Sequence, residues 1–400
     1  MIPLKIAVVV HGRFHAFDLV RELIKQGHEV TLFTNYPKYI VEKFGIPSQS
    51  VKSLLIHGVV IRILAQIELI FSKLNLTFDF EPFFHASFSY WASHKLIQDN
   101  FDVIYVFSGI AEEIFQKLAD KPVLKILVRG SSHIRTQFQI LNDEEIRAGL
   151  KIDKPSDWII AREEREYQLA DIVIVLSTFA RSSFIQKGID PKKLRLLPLG
   201  AQLSLFRPQE NIILARCQRI LSGEPLKVLL VGTFSLRKGA IDLVEIAKNS
   251  GSDFQFTFVG AIGDDANFLY KTNSQYIEFI PKQPQSELPQ YYGSADIFIF
   301  TTIEDGYAVV LSQAQVAGLP IISTTNCSAP DIIVENETGW ILPIRSPDAF
   351  IERLQWCHEH RPELAQMVNK IYEDFQPRDW TNVAEDFTVI VRDYLEISAK

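Results

Sequence analysis

Short apolar runs alternate with amphipathic stretches along most of the chain. The runs are rich in β-branched residues and continuously apolar, which is typical of strands covered by helices on both faces of a parallel sheet. In the first half they predict strands over residues 4–10, 29–33, 102–107, 123–128, 171–176 and 194–197. The patterns between them predict helices over residues 16–26, 110–119, 157–169 and 178–187. Glycines follow the first and last of these helices, as is common at helix C-termini.

A second series of the same kind begins at Lys227 and runs to about Pro343. Its strands are predicted near residues 227–231, 254–259, 276–280, 295–300 and 319–323. The alternation of strands and helices favours a doubly wound parallel sheet in each series. The Pro- and Gly-containing segment 198–208 between the two series is predicted to be the interdomain linker.

The chain is therefore predicted to be an α/β protein of two Rossmann-like, doubly wound parallel-sheet domains, over residues 1–200 and 201–378. Two such domains face each other across a central cleft formed by the carboxyl ends of their strands, where ligands bind. Residues 379–400 carry the pattern of a last amphipathic helix, which we expect to pack back on the N-terminal domain.

Composition narrows the class of protein. With 47% hydrophobic and 22% charged residues, the 400-residue chain has the makeup of a soluble globular protein. A net charge of −7 argues against a general nucleic-acid binder, which needs a basic face. Three widely spaced cysteines form no disulfide or zinc pattern. The N-terminal apolar run is too short for a signal peptide, and no stretch approaches the roughly 20 apolar residues of a spanning helix, so a cytoplasmic location is expected.

A basic pair, Arg237 and Lys238, follows the predicted strand 227–231 and stands where the next helix begins. Gly232, directly after that strand, frees the backbone. Positive charge is unfavourable at a helix N-terminus, so a bound anion would explain the pair. A lysine offers a point charge and an arginine a fork for phosphate oxygens, which together suit a departing diphosphate. The alternative is a solvated basic pair.

An acidic turn, Glu304-Asp305-Gly306, follows the predicted strand 295–300 and is expected to open a helix that contains Gln313. Asp305 and Gln313 are eight residues apart, so they can lie along one helix face and hold sugar and ribose hydroxyls. The backbone N–H groups of the next residues, Tyr307-Ala308-Val309-Val310, can face a diphosphate. The alternative for Asp305 is a simple helix N-cap.

Together these motifs resemble the donor-binding half of the retaining glycosyltransferases of family 4, of the GT-B type. The family pattern is Gly-Arg-x-x-x-x-Lys-Gly, then Glu-Gly-Phe-Gly with a second Glu seven intervening residues later, then Ala-x-Gly-x-Pro-Val. This chain matches it at Gly232, Lys238, Gly239, Gly306, Ala317, Gly318 and Pro320. The resemblance covers almost the whole chain. It implies the GT-B fold and transfer of a sugar from a nucleotide diphosphate sugar to a hydroxyl, with retention of the anomeric configuration.

The chain also departs from the family pattern. Asp305 and Gln313 stand where the family has two glutamates, and the neutral Gln313 can still bond a ribose hydroxyl. Because Lys238 is kept, we interpret the chain as a subgroup variant; the alternative is a degenerate, inactive domain. The family arginine falls at Thr233, so Arg237 is expected to take over its role. The resemblance implies that Lys238 and Arg237 offset the diphosphate charge and that Asp305 orients the donor sugar. The other residues expected at the donor site are Gly12, Gly232, Thr233, Glu304, Gly306, Tyr307, Ala308 and Val309.

The N-terminal half is expected to bind the acceptor. Gly12 follows the first predicted strand, where the family brings backbone N–H groups to the donor phosphate; the alternative is an ordinary turn glycine. His133 follows the predicted strand 123–128 and is the best match to a family histidine near the reacting end of the sugar. The alternative for His133 is an incidental loop residue.

The resemblance implies a UDP-, GDP- or ADP-sugar as donor and a glycan, lipid-linked or small-molecule acceptor, with no metal or other cofactor. The pair Asp264-Asp265 is accordingly expected to be plain loop. A GT-B-type sugar-nucleotide epimerase and a non-catalytic sugar-nucleotide-binding protein remain as alternatives. A nicotinamide dehydrogenase is disfavoured because residues 11–15 lack the Gly-x-Gly-x-x-Gly fingerprint.

Residues 54–71 are strongly apolar, with positions 60, 61, 64, 67 and 71 suited to one face of a helix. Lysines at positions 38, 43, 52 and 73 allow this helix to rest on an anionic membrane and reach a lipid-linked acceptor. We favour a helix of the core or of an acceptor channel and keep peripheral membrane contact as the alternative.

Two acidic stretches are expected to be solvated faces, as charge runs usually are. One is Asp143-Glu144-Glu145, and the other comprises Glu163, Glu164 and Glu166 in the predicted helix 157–169.

Overall fold

The structure, a computed structural model, describes residues 2–72 and 80–398. Within these residues the chain forms two parallel sheets, one of seven strands and one of six. The strands of the first sheet are β1 (Lys5–Val10), β2 (Glu29–Thr34), β3 (Val51–Ser53), β4 (Val103–Phe107), β5 (Leu124–Arg129), β6 (Ile172–Val175) and β7 (Leu194–Leu196). Those of the second are β8 (Leu226–Phe234), β9 (Phe254–Ile262), β10 (Ile277–Pro281), β11 (Ile297–Phe300), β12 (Ile321–Thr324) and β13 (Gly339–Leu342).

Helices connect the strands and cover both sheets. In the N-terminal domain they are α1 (Ala16–Lys25), α2 (Lys38–Glu42), α3 (Leu55–Ser72), α4 (Glu81–Leu96), α5 (Glu112–Lys117), α6 (Ile134–Ala148), α7 (Asp157–Leu169) and α8 (Thr178–Gln186). In the C-terminal domain they are α9 (Glu210–Ser222), α10 (Ala240–Asn249), α11 (Asn267–Asn273), α12 (Leu288–Ser294), α13 (Val309–Val316), α14 (Ala329–Ile332), α15 (Pro347–Glu359), α16 (Arg361–Asp374) and α17 (Trp380–Ser398).

The strand orders are β3-β2-β1-β4-β5-β6-β7 and β10-β9-β8-β11-β12-β13. Each sheet reverses its order once, between β1 and β4 and between β8 and β11, and ligands of open α/β sheets bind outside the strand ends at such a switch point. The prediction of two Rossmann-like parallel-sheet domains is confirmed. Strands β3 and β13 were not predicted, because they are only three and four residues long, shorter than the apolar runs that indicated the other strands.

The continuously apolar strands are buried on both faces, as their sequences predict. In β1, Ile6 and Val8 belong to one core cluster, whereas Ala7 and Val9 belong to the cluster on the opposite face. Helix α17 completes the first of these clusters with Val383, Ala384, Phe387 and Val391. The last helix of the chain therefore packs on the N-terminal domain.

The chain crosses between the domains at two neighbouring segments. A Cβ atom on Gly200, in the linker, would lie 2.4 Å from the carbonyl oxygen of Asp379, at the start of the return crossing. Only glycine permits this close approach of two backbones. The two crossings are therefore packed directly against each other, where a hinge between the domains would lie.

Strand β8 is longer than predicted and runs through Gly232 and Thr233, which pair with Gly260 and Ala261 of β9. The expectation that Gly232 follows the strand is therefore wrong. A Cβ atom on Gly260 would lie 1.7 Å from the carbonyl oxygen of Gly232, so glycine here serves the packing of two strands.

One side of the described part of α3 is exposed. Leu55, Ile56, Val59 and Ile63 lie there, Ile56 with 76% of its surface accessible. Positions 60, 61 and 64 of the predicted apolar face are half-buried and His57 is buried, so the core or acceptor-channel helix stays a prediction. Positions 67 and 71, on which the pattern also depended, and Lys73 lie outside the side chains that the structure describes. Among the described residues, no helix combines the length and apolar character needed to cross a membrane.

Candidate active site in the interdomain cleft

The turn after β8 and the loop after β11 meet at the cleft. Residues Leu236–Lys238 form one 3₁₀ turn, and α10 begins at Ala240, so the basic pair stands before a helix as predicted. The Nζ atom of Lys238 lies 2.6 Å from Oδ2 of Asp305. The two residues singled out from separate motifs are thus an ion pair across adjacent strand ends.

Asp305 does not lie on a helix. The loop 301–308 continues past it, and α13 begins only at Val309, so the expectation that Asp305 and Gln313 share a helix face is wrong. The physical reason lies in the backbone of the loop, whose N–H groups bond to other acceptors instead of forming helical pairs. The N–H of Asp305 donates to the carbonyl oxygen of Asn326 (2.9 Å), and that of Ala308 to Oγ of Ser328 (3.0 Å).

The expectation that N–H groups from Tyr307 onward face a diphosphate is corrected in the same way. The N–H of Tyr307 donates to Oδ1 of Asp305 at 3.2 Å, and that of Ala308 is bonded to Ser328. Ala308 is also buried in the core of the C-terminal domain. The N–H groups that remain available to bind an anion at this end of α13 are those of Val309 and Val310, the first residues of the helix.

Glu304 is buried and points away from the open cleft, so its expected contact with the donor is not supported. Its Oε2 atom accepts from both Nη2 (2.7 Å) and Nε (3.0 Å) of Arg237. The Arg237 side chain is 35% exposed, whereas that of Glu304 is 0% exposed. Arg237 therefore borders the cleft, and Glu304 holds it from behind.

The N-terminal domain supplies further donors to the same carboxylate. Oε1 of Glu304 accepts from Oγ of Ser131 (2.5 Å) and from the backbone N–H (3.1 Å) and Oγ (2.8 Å) of Ser132. Nε2 of Gln137 lies 3.3 Å from Oε2. Burial alone would raise the pKa of Glu304, but the charge of Arg237 and these hydrogen bonds outweigh it and lower the pKa to about 2. The carboxylate is ionised and shared by both domains.

Gly306 is pressed against the opposite domain. A Cβ atom at this position would lie 2.1 Å from the carbonyl oxygen of Gly130 and 2.5 Å from Cα of Ser131. Both are backbone atoms, so no side-chain rotation could relieve the overlap. Glycine is required here by the approach of the two domains.

The position of His133 does not support its expected catalytic role. The ring is 2% exposed and packs against Tyr167 and Phe184, each with ring centroids 5.0 Å away. Its side chain caps α6 by accepting from the N–H of Arg135 at 3.2 Å. Burial lowers the pKa of His133 to about 4, so the ring is neutral. The residue serves the core and the helix start.

Gly12 lies at the cleft end of β1 with φ +115°, a conformation that favours glycine. Its N–H donates to Oδ1 of Asn35 at 3.0 Å, and its carbonyl accepts from Oγ1 of Thr34 at 3.0 Å. The N–H group expected to meet a donor phosphate is thus bonded to the protein. Phe14, two residues after Gly12 in the same loop, is 66% exposed and stacks on Phe107.

A cavity of about 730 Å³ lies between the loop after β1, the linker and α13. Gln313 lines it and is 4% exposed. Its Oε1 atom accepts from the hydroxyl of Tyr292 at 3.0 Å, which fixes the amide and turns its Nε2 donor away from that hydroxyl. Val309 and Trp380 form further parts of the wall. Thr233, by contrast, is exposed on β8 and lines neither this cavity nor the next.

A second cavity of about 1050 Å³ lies on the other side of Arg237, between segment 151–157 and the turns after β8 and β9. Its wall includes Lys151, Asp153, Asp157, Ser235, Asp264 and Asp265. Oδ2 of Asp265 accepts from the N–H of Leu236 at 3.1 Å, so this residue supports the turn that carries Arg237. Among the described residues, no group of His, Cys, Asp and Glu side chains could hold a metal ion.

Both acidic stretches expected to be solvated contain buried carboxylates. Glu163 is 4% exposed and pairs with Arg129 at 2.8 Å, and Glu166 is fully buried and accepts from the N–H groups of Gly109 (2.6 Å) and Ala111 (2.7 Å). Glu144 is fully buried between the domains. The expectation fails because partners from other elements, which no local pattern reveals, stabilise these side chains in the interior. Glu144 and Glu163 pair with arginines, whereas burial raises the pKa of Glu166 to about 8, so its carboxyl is protonated at neutral pH.

Ser131, Ser132 and Tyr292 were not predicted to be site residues. The two serines directly follow β5, and small polar residues at a strand end are the signal that could have selected them. Tyr292 lies on α12, in the core, and no local signal marks it as the partner of Gln313.

Comparisons with known proteins agree with this architecture. The family model "Glycosyltransferase Family 4" matches residues 13–205, and "Glycosyl transferases group 1" matches residues 216–374. The amylovoran biosynthesis glycosyltransferase AmsK of Erwinia amylovora is 26% identical over 226 residues, which cover 52% of this chain and 53% of that protein. A D-inositol 3-phosphate glycosyltransferase of Corynebacterium glutamicum is 22% identical over 401 residues, which cover 93% of this chain and 89% of that protein.

The chain spans between half and three-fifths of the length of several curated relatives that it matches, among them AmsK. Among solved structures, Anabaena HepE in complex with UDP aligns with TM-score 0.70 and 12% identity, over 98% of this chain and 100% of that one. Sucrose-phosphate synthase from Thermosynechococcus elongatus aligns with TM-score 0.72 and 18% identity, over 98% and 99%. With both family models matched and the GT-B fold in place, the chain belongs to the family 4 glycosyltransferases.

Proposed function

We propose that this protein transfers a glycosyl group from a UDP-sugar to a hydroxyl of a glycan or lipid-linked acceptor, with retention of the anomeric configuration. The observation that carries the proposal is the Lys238–Asp305 ion pair, which joins two strand ends at the cleft. UDP is the donor nucleotide we favour over GDP and ADP, because solved structures of similar fold hold UDP and UDP-glucose.

Lys238 and Arg237 supply the positive charge that a departing diphosphate requires. Lys238 is only 22% exposed, and preorganised charge in a site with little water acts more strongly than in solution. In the resting structure Asp305 neutralises Lys238. A bound diphosphate would share Lys238 with Asp305, whose Oδ1 atom accepts from the N–H of Tyr307 and has a second lone pair that can accept from a sugar hydroxyl.

Without a covalent intermediate, retention requires that the acceptor attack from the face that the diphosphate leaves. In the reaction we propose, the bond from the anomeric carbon to the diphosphate oxygen breaks and a bond from the acceptor oxygen forms. The acceptor proton passes to an oxygen of the leaving phosphate. Asp305 is held by Lys238 and by the N–H of Tyr307, which favours an orienting role over that of a nucleophile.

The acceptor is proposed to enter through the 1050 Å³ cavity bordered by Arg237. Its wall mixes carboxylates with lysines, and such groups suit hydroxyl-rich ligands because they offer hydrogen-bond acceptors and donors together. The exposed apolar residues of α3 support an acceptor presented at a membrane surface, since an apolar helix face beside lysines suits an anionic interface. Peripheral membrane contact is part of the proposal for that reason.

The names of two relatives concern amylovoran and colanic acid biosynthesis. They support a glycan acceptor and a place in polysaccharide assembly for this chain. No metal or other cofactor is included in the proposed reaction, because the two basic side chains take the part that a metal ion plays at a diphosphate.

The proposal is tested by a donor screen. Purified protein is incubated with UDP-, GDP- and ADP-glucose and UDP-galactose, and melting temperature, nucleotide release and the anomeric proton signals of the product are measured. We expect stabilisation and slow hydrolysis with a UDP-sugar alone and, once a glycan acceptor is added, an α-linked product from an α-linked donor. A β-linked product would refute retention alone. Conversion of the donor to its epimer would favour the epimerase alternative, and binding with no turnover under any acceptor would favour the non-catalytic binder.

A further inference from the structure

Glu304 belongs to the C-terminal domain but receives most of its hydrogen bonds from the N-terminal domain. Ser131, Ser132 and Gln137 together donate four bonds to its two oxygens. These three side chains are between 0% and 7% exposed. All three residues belong to the N-terminal domain and would move away with it if the domains separated. Glu304 can therefore be buried in this way only while the two domains are in contact.

The same contacts hold Arg237. Its guanidinium bonds Glu304 through two nitrogens, and its Nη2 also donates to Oγ of Ser131 at 3.2 Å. The other side of Arg237 borders the large cavity. The direction in which Arg237 presents its charge to the cleft therefore depends on atoms from both domains.

The N-terminal part of this arrangement is itself anchored. Oε1 of Gln137 accepts from Nη2 of Arg129 at 2.8 Å, which turns the amide Nε2 toward Glu304. Arg129 is in turn paired with the buried Glu163. A chain of charged and polar groups thus runs from the interior of the N-terminal domain to the cleft.

We propose that Glu304 is a positioning residue that couples closure of the two domains to the orientation of Arg237 toward the donor diphosphate. This inference rests on the proposed function. A buried carboxylate without its cation is strongly unfavourable, so closure over Glu304 is possible only with Arg237 in place. When the domains separate, Glu304 is hydrated and Arg237 loses its second partner, Ser131.

A matched control is present in Glu144, a second buried carboxylate between the domains. It lies on α6 and accepts from Nε of Arg345, in the C-terminal domain, at 2.7 Å and from Nη1 of Arg147 at 3.2 Å. Neither partner is Arg237 or Lys238. Glu144→Gln should loosen the interdomain contact without changing the group that faces the diphosphate.

The experiment is a double-mutant cycle of Glu304→Gln and Arg237→Ala, with Glu144→Gln as the control. The readouts are kcat and KM with the UDP-sugar, the affinity for UDP by calorimetry, and the melting temperature. Alone, Glu304→Gln should lower kcat/KM about 10- to 100-fold, as expected for a lost charged hydrogen bond, mostly through kcat. In the Arg237→Ala background it should change kcat/KM by less than about twofold, because Glu304 acts through Arg237.

The direction in which the melting temperature changes provides an independent test of the proposal. Glu304→Gln should lower the melting temperature of the wild-type protein but raise that of Arg237→Ala, since it removes a buried charge that has lost its cation. Glu144→Gln should lower the melting temperature and leave kcat/KM within about threefold of wild type. Independent, multiplicative losses from Glu304→Gln and Arg237→Ala would overturn the proposal, as would a fully active Glu304→Gln.

The two proposals fail in distinguishable ways. If Lys238→Ala is inactive and Glu304→Gln is as active as wild type, the coupling is wrong while the proposed function stands. If wild type neither binds UDP nor turns over a UDP-sugar, the proposed function fails, and the coupling to a donor diphosphate fails with it.

Discussion

Substitution of Gly306 by alanine tests whether the observed approach of the two domains is the active arrangement. The added Cβ would lie 2.1 Å from the carbonyl oxygen of Gly130, whereas ordinary contact begins at 3.4 Å, so about 1.3 Å must be gained. Cα of Ser131 at 2.5 Å and the carbonyl carbon of Gly130 at 2.6 Å block the other directions. All three are backbone atoms, so the domains themselves must separate.

A displacement of about 1 Å in a site of this kind can cost about 100-fold in rate. We therefore expect Gly306→Ala to lower kcat/KM with the UDP-sugar about 100-fold. Most of the loss should appear in kcat, because closure of the domains, rather than binding to the C-terminal domain, is obstructed. The affinity for UDP, measured by calorimetry, should change by less than about threefold.

Gly130→Ala is the matched control, since no atom lies within 4 Å of a Cβ built on Gly130. This variant should keep kcat/KM within about threefold of wild type, although it alters the same contact from the opposite side. If Gly306→Ala is as active as Gly130→Ala, the domains do not meet in this way during the reaction, and the reasoning from their contact is refuted.

Three further predictions concern separate parts of the molecule. His133→Asn keeps a capping side chain but removes a ring whose pKa burial lowers to about 4, whereas the unfolded ring protonates below about 6.5. The free energy of unfolding of the wild type should therefore fall as pH drops from about 6.5 to 4. Denaturant titrations of His133→Asn should show a smaller fall of this free energy over the same pH range. An equal fall, or a loss of kcat above about tenfold, contradicts the core role. Gln313→Glu adds a charged acceptor for a ribose hydroxyl and should raise the preference for UDP over 2′-deoxy-UDP about tenfold by calorimetry, and an unchanged preference would place the ribose elsewhere. Ile56→Glu should reduce co-sedimentation with phosphatidylglycerol vesicles at least about tenfold, whereas Ile146→Glu, at a residue of similar exposure (74% against 76%), should not; equal effects argue against membrane contact through α3.

The sheets and the placement of Lys238 and Asp305 at the cleft could be predicted because each depends on local sequence and a general rule of topology. Continuously apolar runs identified the strands of both domains except β3 and β13, and parallel strands bring their carboxyl ends to one edge. Lys238 and Asp305 lie 67 residues apart, yet each lies in the loop that follows such a strand. Their pairing follows from the positions of β8 and β11 as neighbours in the sheet.

The role of Glu304 could not be predicted in this way. Its position after β11 is equivalent to that of its neighbour Asp305, and only the N-terminal loop at Ser131 and Ser132, more than 170 residues earlier, decides which of the two carboxylates is buried. The start of α13 at Val309 was missed for a related reason. Ser328, from another loop, bonds the N–H of Ala308 and keeps the preceding residues out of the helix.

The sequence patterns also failed to predict which acidic residues are buried. Glu144 and Glu163 each stand among other acidic residues, which is the usual sign of a solvated face. Their partners Arg345 and Arg129 come from distant elements. Periodicity along one helix cannot register a partner that only the tertiary fold supplies.

The central claim is that Lys238 and Asp305 hold the diphosphate end of a UDP-sugar during transfer. The most direct measurement is the rate of UDP release and glycosyl transfer from the preferred UDP-sugar by wild type, Lys238→Ala and Lys248→Ala, the last on the C-terminal turn of α10. The account predicts that Lys238→Ala loses about 100- to 1000-fold in kcat, as expected for removal of one preorganised charge, while Lys248→Ala retains wild-type activity. Equal activity of all three proteins, each confirmed to be folded, would contradict it.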